Sequence, residues 1–256
     1  MAEGETDKAA QGLKHSVAAM KIGLKTDGYK GRLFRGVIEK AYDLVPAEDA
    51  DIIFAVGWTR MIKEDLEKHV VMHDSLLPRY RGFCPTVTAL IKGDTEIGVT
   101  ALRPIEKMDE GPVLWQQKVN IEYPIKIKDA YDWQLSCYLR CFEAILEKRV
   151  FALNPPEEPT YSIWRDEEDY HIDWTEPSHY LKRFIDAVGY PYEGAFSYLG
   201  VEKVRIFDAE VVDDVIFMNR TPGKIWCRHG EMADVVCGKG ILRVKLGKGC
   251  LRARLS

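Results

Sequence analysis

Apolar residues in the first 150 positions fall either in short unbroken runs or at helical intervals. Met20-Lys21-Ile22-Gly23-Leu24 reads as a short strand. Leu33, Val37, Ile38, Ala41 and Leu44 then recur with helical spacing and predict a helix over about 30–44. Asp51-Ile52-Ile53-Phe54-Ala55-Val56-Gly57 is apolar without interruption between a charge and a glycine, which suits a strand covered on both faces of a parallel sheet. A short helix is expected over 63–68, a strand at 70–72 and a helix over 85–91. Strands follow at 96–102 and at 113–121, where Val113, Trp115, Gln117, Val119 and Ile121 mark one face. Ala130, Trp133, Leu135, Leu139, Phe142, Ile145 and Leu146 define an amphipathic helix over 128–148. Strands alternating with helices predict an α/β, Rossmann-like domain on a parallel sheet, spanning 20–150.

The pattern changes after this helix. Asn154-Pro155-Pro156-Glu157-Glu158-Pro159 is turn-forming and charged, and 161–174 carries little periodicity. A helix is expected over 179–188. Five short alternating runs come next, at 195–199, 203–207, 224–228, 234–237 and 241–246, separated by glycine and proline. Strands of that length and spacing predict a small antiparallel, OB-like β-barrel. The domain plan is therefore a loose polar tail (1–19), an α/β domain (20–150), a linker (151–177) and a C-terminal barrel (178–256).

Charge narrows the partners. The chain of 256 residues has a formal net charge of −4, which argues against non-specific nucleic-acid binding by the whole chain. Residues 178–256 carry 13 basic and 9 acidic side chains, but the basic ones are dispersed. The six cysteines include no Cys-x-x-Cys pair and no zinc-like spacing, so no metal site is expected. Cys137 and Cys141 stand four apart on one helix face and read as reduced core thiols. There is no apolar run of about 18 residues to cross a membrane and no apolar signal core. A reduced, cytoplasmic protein with no membrane partner is the expectation.

The chemistry concentrates in two loops that follow strand-like runs. His73 opens His73-Asp74-Ser75-Leu76-Leu77-Pro78-Arg79-Tyr80-Arg81-Gly82, and Asp109 sits in Met108-Asp109-Glu110-Gly111. Histidine handles protons near neutral pH. A carboxylate beside it raises its basicity and holds its tautomer. Open parallel sheets bind ligands beyond the carboxyl ends of their strands, where His73 falls. Asp74 reads as a solvated loop carboxylate, and His69 and His15 as surface residues.

These loops, with Pro85 and Gly93-Asp94-Thr95-Glu96-Ile97-Gly98-Val99-Thr100 between them, closely resemble the catalytic domain of the folate-dependent formyltransferases, from about 51 to 121. In the second half, Ile172-Asp173-Trp174 and Gly189-Tyr190-Pro191-Tyr192-Glu193-Gly194-Ala195-Phe196-Ser197-Tyr198-Leu199 are similar to the lead-in and start of that family's C-terminal barrel. The resemblance implies a formyl donor, N10-formyltetrahydrofolate, and a primary amine as acceptor. It assigns proton transfer to His73 and its orientation to Asp109. Trp58 and Arg60, in Gly57-Trp58-Thr59-Arg60, are placed where the family wraps its backbone around the pterin, and Leu77 to Gly82 are placed around the folate and acceptor cleft. Arg81 reads as a clamp on the loop.

The chain departs from the pattern in two places. Val71 stands where the family has an asparagine that donates to the formyl oxygen, and loss of one such donor costs about 3–4 kcal/mol in hydrolases. Only 50 residues precede Asp51, and no glycine-bearing first turn is recognisable, so a rebuilt or missing part of the folate pocket is expected. The wording near Phe196 is closer to members that formylate a nucleotide-linked amino-deoxysugar. Formylation of methionyl-tRNA, a catalytically impaired binding protein and a folate hydrolase are the alternatives. A homodimer is compatible with all of them.

Overall fold

The computed structural model describes residues 20–149, 158–246 and 255. The expected tail over 1–19, most of the proline-rich linker and the end of the barrel segment lie outside these residues. The described chain forms two compact units, one of residues up to 86, 96–121 and 130–163, the other of 87–95, 122–129 and 164 onward.

The first unit is built on five strands in the order β1 (Ile22–Thr26), β2 (Ile52–Val56), β3 (His69–His73), β5 (Glu96–Leu102), β6 (Val113–Asn120). β1, β2 and β3 run parallel, while β5 and β6 pair antiparallel at the other edge, so the sheet is mixed. Helix α1 (Gly28–Ile38) crosses from β1 to β2, so a complete strand-helix-strand unit is present despite the short N-terminal stretch. Its turn is Asp27-Gly28. The Asp27 carboxylate accepts from the Gly28 N–H and caps the helix, and Gly28 adopts φ +61°. Gly57, also at positive φ, lies so close to this turn that a Cβ there would stand 2.4 Å from the Asp27 carbonyl oxygen.

α1 ends at Ile38 rather than near 44. Ala41, Tyr42 and Leu44 still pack on the core, with Leu44 bridging to Ile22, so burial and not helix explains their apolar character. The helix expected over 63–68 does not form. Asp65 takes φ +50° and its carbonyl accepts from the Lys68 N–H, making a tight turn into β3.

Helix α2 (Pro85–Lys92) precedes β5, and α3 (Ile127–Leu146) follows β6. The main core packs α1 and α3 onto one sheet face, with the Phe142 ring tilted against Phe54 at 4.6 Å and edge-to-face with Phe34 at 5.7 Å between ring centroids. Cys137 and Cys141 are buried in it. Burial pushes the Cys137 thiol up to about 11 and the Cys141 thiol upward as well, which makes both inert.

The second unit contains α4 (Ser178–Ala187) and six strands, one more than the spacing predicted. β8 (Ala195–Leu199) and β9 (Glu202–Ile206) form a hairpin. β10 (Ala209–Val212), β11 (Ile225–His229), β12 (Met232–Val236) and β13 (Ile241–Lys245) form an antiparallel sheet in the order β10-β13-β12-β11. Residues 164–177, read from sequence as the end of the linker, pack in this unit. Trp174 is buried and its indole N–H donates to Ser197 at 2.9 Å. No helix among the described residues is long and apolar enough to cross a membrane.

Candidate active site

β3 delivers His73 to the carboxyl edge of the parallel strands. Successive side chains of a strand face opposite sides. Val70 and Met72 enter the main core, and Val71 and His73 share the other face. Beside them the first unit has a cleft of about 140 Å³, lined among others by Lys30, Gly57, Trp58, Arg60, Val71, His73, Gly82, Cys84 and Asp109.

His73 is 8% exposed. Its Nε2 lies 2.9 Å from the Tyr80 carbonyl oxygen and its Nδ1 lies 3.5 Å from Asp109 Oδ2. A carbonyl can only accept, so Nε2 carries the hydrogen of the neutral ring. Nδ1 then holds the lone pair, next to a carboxylate. Asp109 is itself fixed, because Oδ2 accepts from the Gly82 N–H at 2.8 Å. Burial lowers the His73 pKa; Asp109 and the Tyr80 carbonyl oppose this, and the charge of Lys30 adds to it. The ring is therefore neutral at pH 7, with Nδ1 placed to receive a proton that Asp109 would stabilise. The hydrogen bond that orients the ring is the one Nε2–H donates to the Tyr80 carbonyl; Asp109 stands beside the protonation site.

The loop after β3 is held from beneath by buried and half-buried polar side chains that have no sequence motif. Thr100 Oγ1 donates to the Ser75 carbonyl at 2.6 Å and accepts from the Leu77 N–H at 3.1 Å. The Gln116 amide donates to the Leu77 carbonyl at 2.7 Å. The Gln134 amide donates to the Asp74 and Gly98 carbonyls at 3.2 and 2.7 Å, and its oxygen accepts from the Thr86 hydroxyl at 3.1 Å. From outside, the strand β7 (Tyr161–Ser162) pairs parallel with β4 (Arg81–Gly82). Thr160 Oγ1 accepts from the Tyr80 N–H at 2.9 Å. Tyr80, Cys84 and Asp109 all adopt left-handed backbone conformations, and Gly82 has φ +100°. Such conformations are sparsely populated and gather at sites the surrounding structure fixes.

Trp58, Arg60, Gly82, His73 and Asp109 all line the cleft, and the Arg60 guanidinium stacks 3.9 Å from the Trp58 ring centroid. Leu77 does not line it. Its side chain is buried with Leu102 and Val113, against which Val71 also packs. Arg81 Nη1 lies 3.3 Å from Glu110 Oε1, tying the two loops together. Two expectations are overturned. His69 is 2% exposed rather than a surface residue, with Nδ1 2.8 Å from the Asp65 carbonyl. Asp74 is 6% exposed rather than solvated. It accepts from the Tyr138 hydroxyl and pairs with the Lys30 ammonium. Lys30 is the residue that sequence reasoning missed. It sits in the first turn of α1, after the Asp27-Gly28 cap that the sequence pattern did not reveal.

Comparison with known proteins places this arrangement. A family model for the formyl transferases matches residues 14–132, and one for the formyl transferase C-terminal domain matches 165–249. The chain is similar in structure to HypX from Aquifex aeolicus in complex with tetrahydrofolic acid, with TM-score 0.68 and 20% identity over 88% of this chain. It spans only 43% of that longer protein. It is also similar to an N-formyltransferase from Helicobacter canadensis in complex with folinic acid and dTDP-3-aminofucose, with TM-score 0.65 and 15% identity over 90% of this chain and 100% of that one. A methionyl-tRNA formyltransferase from Clostridium thermocellum gives TM-score 0.64 and 17% identity over 87% of this chain and 100% of that one.

Proposed function

This chain belongs to the formyl transferase family, and from that premise we propose that it moves the formyl group of N10-formyltetrahydrofolate onto a primary amine, that of a nucleotide-linked amino-deoxysugar. The observation that carries the reading is the buried His73, whose Nδ1 faces Asp109 3.5 Å away within the cleft.

The cleft fits the donor. Its walls combine apolar side chains such as Ile62, Leu102 and Ile105 with the Trp58 and Arg60 pair, and the tight Gly57 turn brings backbone to its edge. An extended ring system with polar edges suits such a lining. Trp58, Arg60 and the Gly57 and Gly82 backbones would hold it, and the bound donor would supply the activated one-carbon unit. His73 takes the proton that the acceptor amine loses on attack, at Nδ1. Asp109 stabilises the resulting imidazolium, and the buried polar network keeps both groups in place without reorganisation.

A small acceptor is favoured over tRNA by the net charge of −4 and the scattered basic residues of the second half, since tRNA requires a concentrated positive surface. The direct test mixes purified protein, N10-formyltetrahydrofolate and a panel of nucleotide-linked amino-sugars, and follows tetrahydrofolate release together with the mass of the acceptor. A gain of one formyl group on an amino-sugar is expected. Folded protein that turns over no acceptor refutes the reading. Formate released without an acceptor indicates a hydrolase, and formylation of methionyl-tRNA with a steep salt dependence indicates the tRNA enzyme.

A further inference from the structure

Formyl transfer puts negative charge on the formyl oxygen, and a water-poor site has to meet that charge with a placed donor. On the face of β3 shared with His73 the preceding side chain is Val71, which has no N–H to give. Among the cations lining the cleft, Lys107 is 75% exposed, Arg60 is stacked on Trp58, and Arg103 is engaged by the His69 carbonyl at 2.9 Å. Lys30 differs from all three. Its side chain is 18% exposed, its ammonium pairs with the buried Asp74 next to the base, and it lies 5.1 Å from the Tyr131 ring centroid. Its charge reaches the His73 ring.

We propose that Lys30 is a catalytic residue of this site, its ammonium donating to the formyl oxygen where Val71 cannot. This rests on the formyl-transfer reading above. In the step, the acceptor nitrogen gives its lone pair to the formyl carbon, the carbonyl pair moves to oxygen beside Lys30, and the amine proton passes to His73. When the pair returns, the bond from carbon to the donor nitrogen breaks, and that nitrogen keeps the bonding electrons and takes the proton back from His73. Asp74 serves as counter-ion, so the cation is held in place before substrate arrives.

Burial lowers the Lys30 pKa to about 8, with Cys84 acting in the opposite sense. The ammonium is thus charged at pH 7 and is lost above about 8. The titratable groups that face it are Asp74 and His73 at the end of β3, Cys84 ahead of α2 and Tyr131 on α3.

The test begins with the unaltered protein, by calorimetry with 5-formyltetrahydrofolate and tetrahydrofolate from pH 6.5 to 9.5. The affinity gained from the formyl group should shrink as pH passes about 8; a gain independent of pH overturns the proposal. Lys30→Met combined with Asp74→Asn removes both charges together, so that neither is left buried alone. This protein should lose the formyl-specific affinity and about 10²–10³ in kcat, with the acceptor KM little changed. Adding Val71→Asn should restore at least tenfold of the loss, because the amide supplies the missing donor. Unchanged kcat in the double variant, or a loss that Val71→Asn does not repair, reduces Lys30 to a structural partner of Asp74. Absence of turnover by the unaltered protein on every acceptor is a different failure, that of the transferase reading, and the calorimetric comparison separates the two.

Discussion

Replacing Asp109 with asparagine isolates the part of the site that depends on charge. The substitution is close to isosteric, and the asparagine oxygen can still accept from the Gly82 N–H, which now donates to Asp109 at 2.8 Å. Only the negative charge beside His73 Nδ1 disappears. At the 3.5 Å separation and an effective dielectric of about 20, the lost attraction is roughly 5 kcal/mol, equal to between three and four pKa units as an upper bound. The His73 pKa is already held down by burial, and it would fall further. A weaker base takes the amine proton less well, so kcat/KM should drop about 100-fold. The acidic limb of the pH–rate profile should move to lower pH, because the ring stays neutral further into acid. The assay is tetrahydrofolate release across pH 4.5–8, together with direct titration of the His73 ring by NMR. The sign of the shift is decisive. A slower enzyme with its acidic limb unmoved would mean that Asp109 acts by shape alone, and the electrostatic reasoning would be wrong.

Other expectations follow from the scaffold. Gln134→Leu removes the amide that serves the Asp74 and Gly98 carbonyls and the Thr86 hydroxyl. With buried polar groups left unpaired it should cost about 2–4 kcal/mol, seen as a melting temperature lower by roughly 5–15 °C; an unchanged melting curve would show that water replaces the amide. Gly82→Ala brings a Cβ within 2.5 Å of the Ser162 carbonyl oxygen at φ +100°, so it should both destabilise the fold by at least about 1 kcal/mol and loosen Asp109, lowering kcat. His69 and His73 both have pKa values pushed below 6.5 by burial. The unfolded chain therefore binds more protons in acid, and their contribution to stability is present above about 6.5 and lost as pH falls below it. His69→Gln should flatten the acid side of a plot of unfolding free energy against pH, and a slope identical to that of the unaltered chain would contradict the assignment.

Local pattern exposed most of the strands and the two loops that carry His73 and Asp109, but not the buried partners that hold those loops. β2 was legible because an uninterrupted apolar run bounded by a charge and a glycine has few other uses. The helices were less so. Apolar residues at 41, 42 and 44 kept helical spacing while packing as turn and bridge, since spacing reports burial and not backbone. The expected helix over 63–68 yielded to a turn at Asp65, whose left-handed backbone has no apolar signal. Asp74 shows the limit most clearly. In sequence it is a carboxylate in a polar loop, and the bland reading is solvent. Its burial depends on Tyr138, 64 positions away, and on Lys30 in the first turn of α1, neither of which any local window contains. The same two long-range contacts carry the cation into the site. A carboxylate next to His73 would be costly to bury alone, and a lysine at the head of α1 would otherwise extend into water. Each makes the other's position tenable. Under the Lys30 proposal, Val71, Lys30 and Asp74 act as one unit of the site. The combined substitutions at 30, 71 and 74 are strongly non-additive under that account, and additive effects on kcat would separate them again.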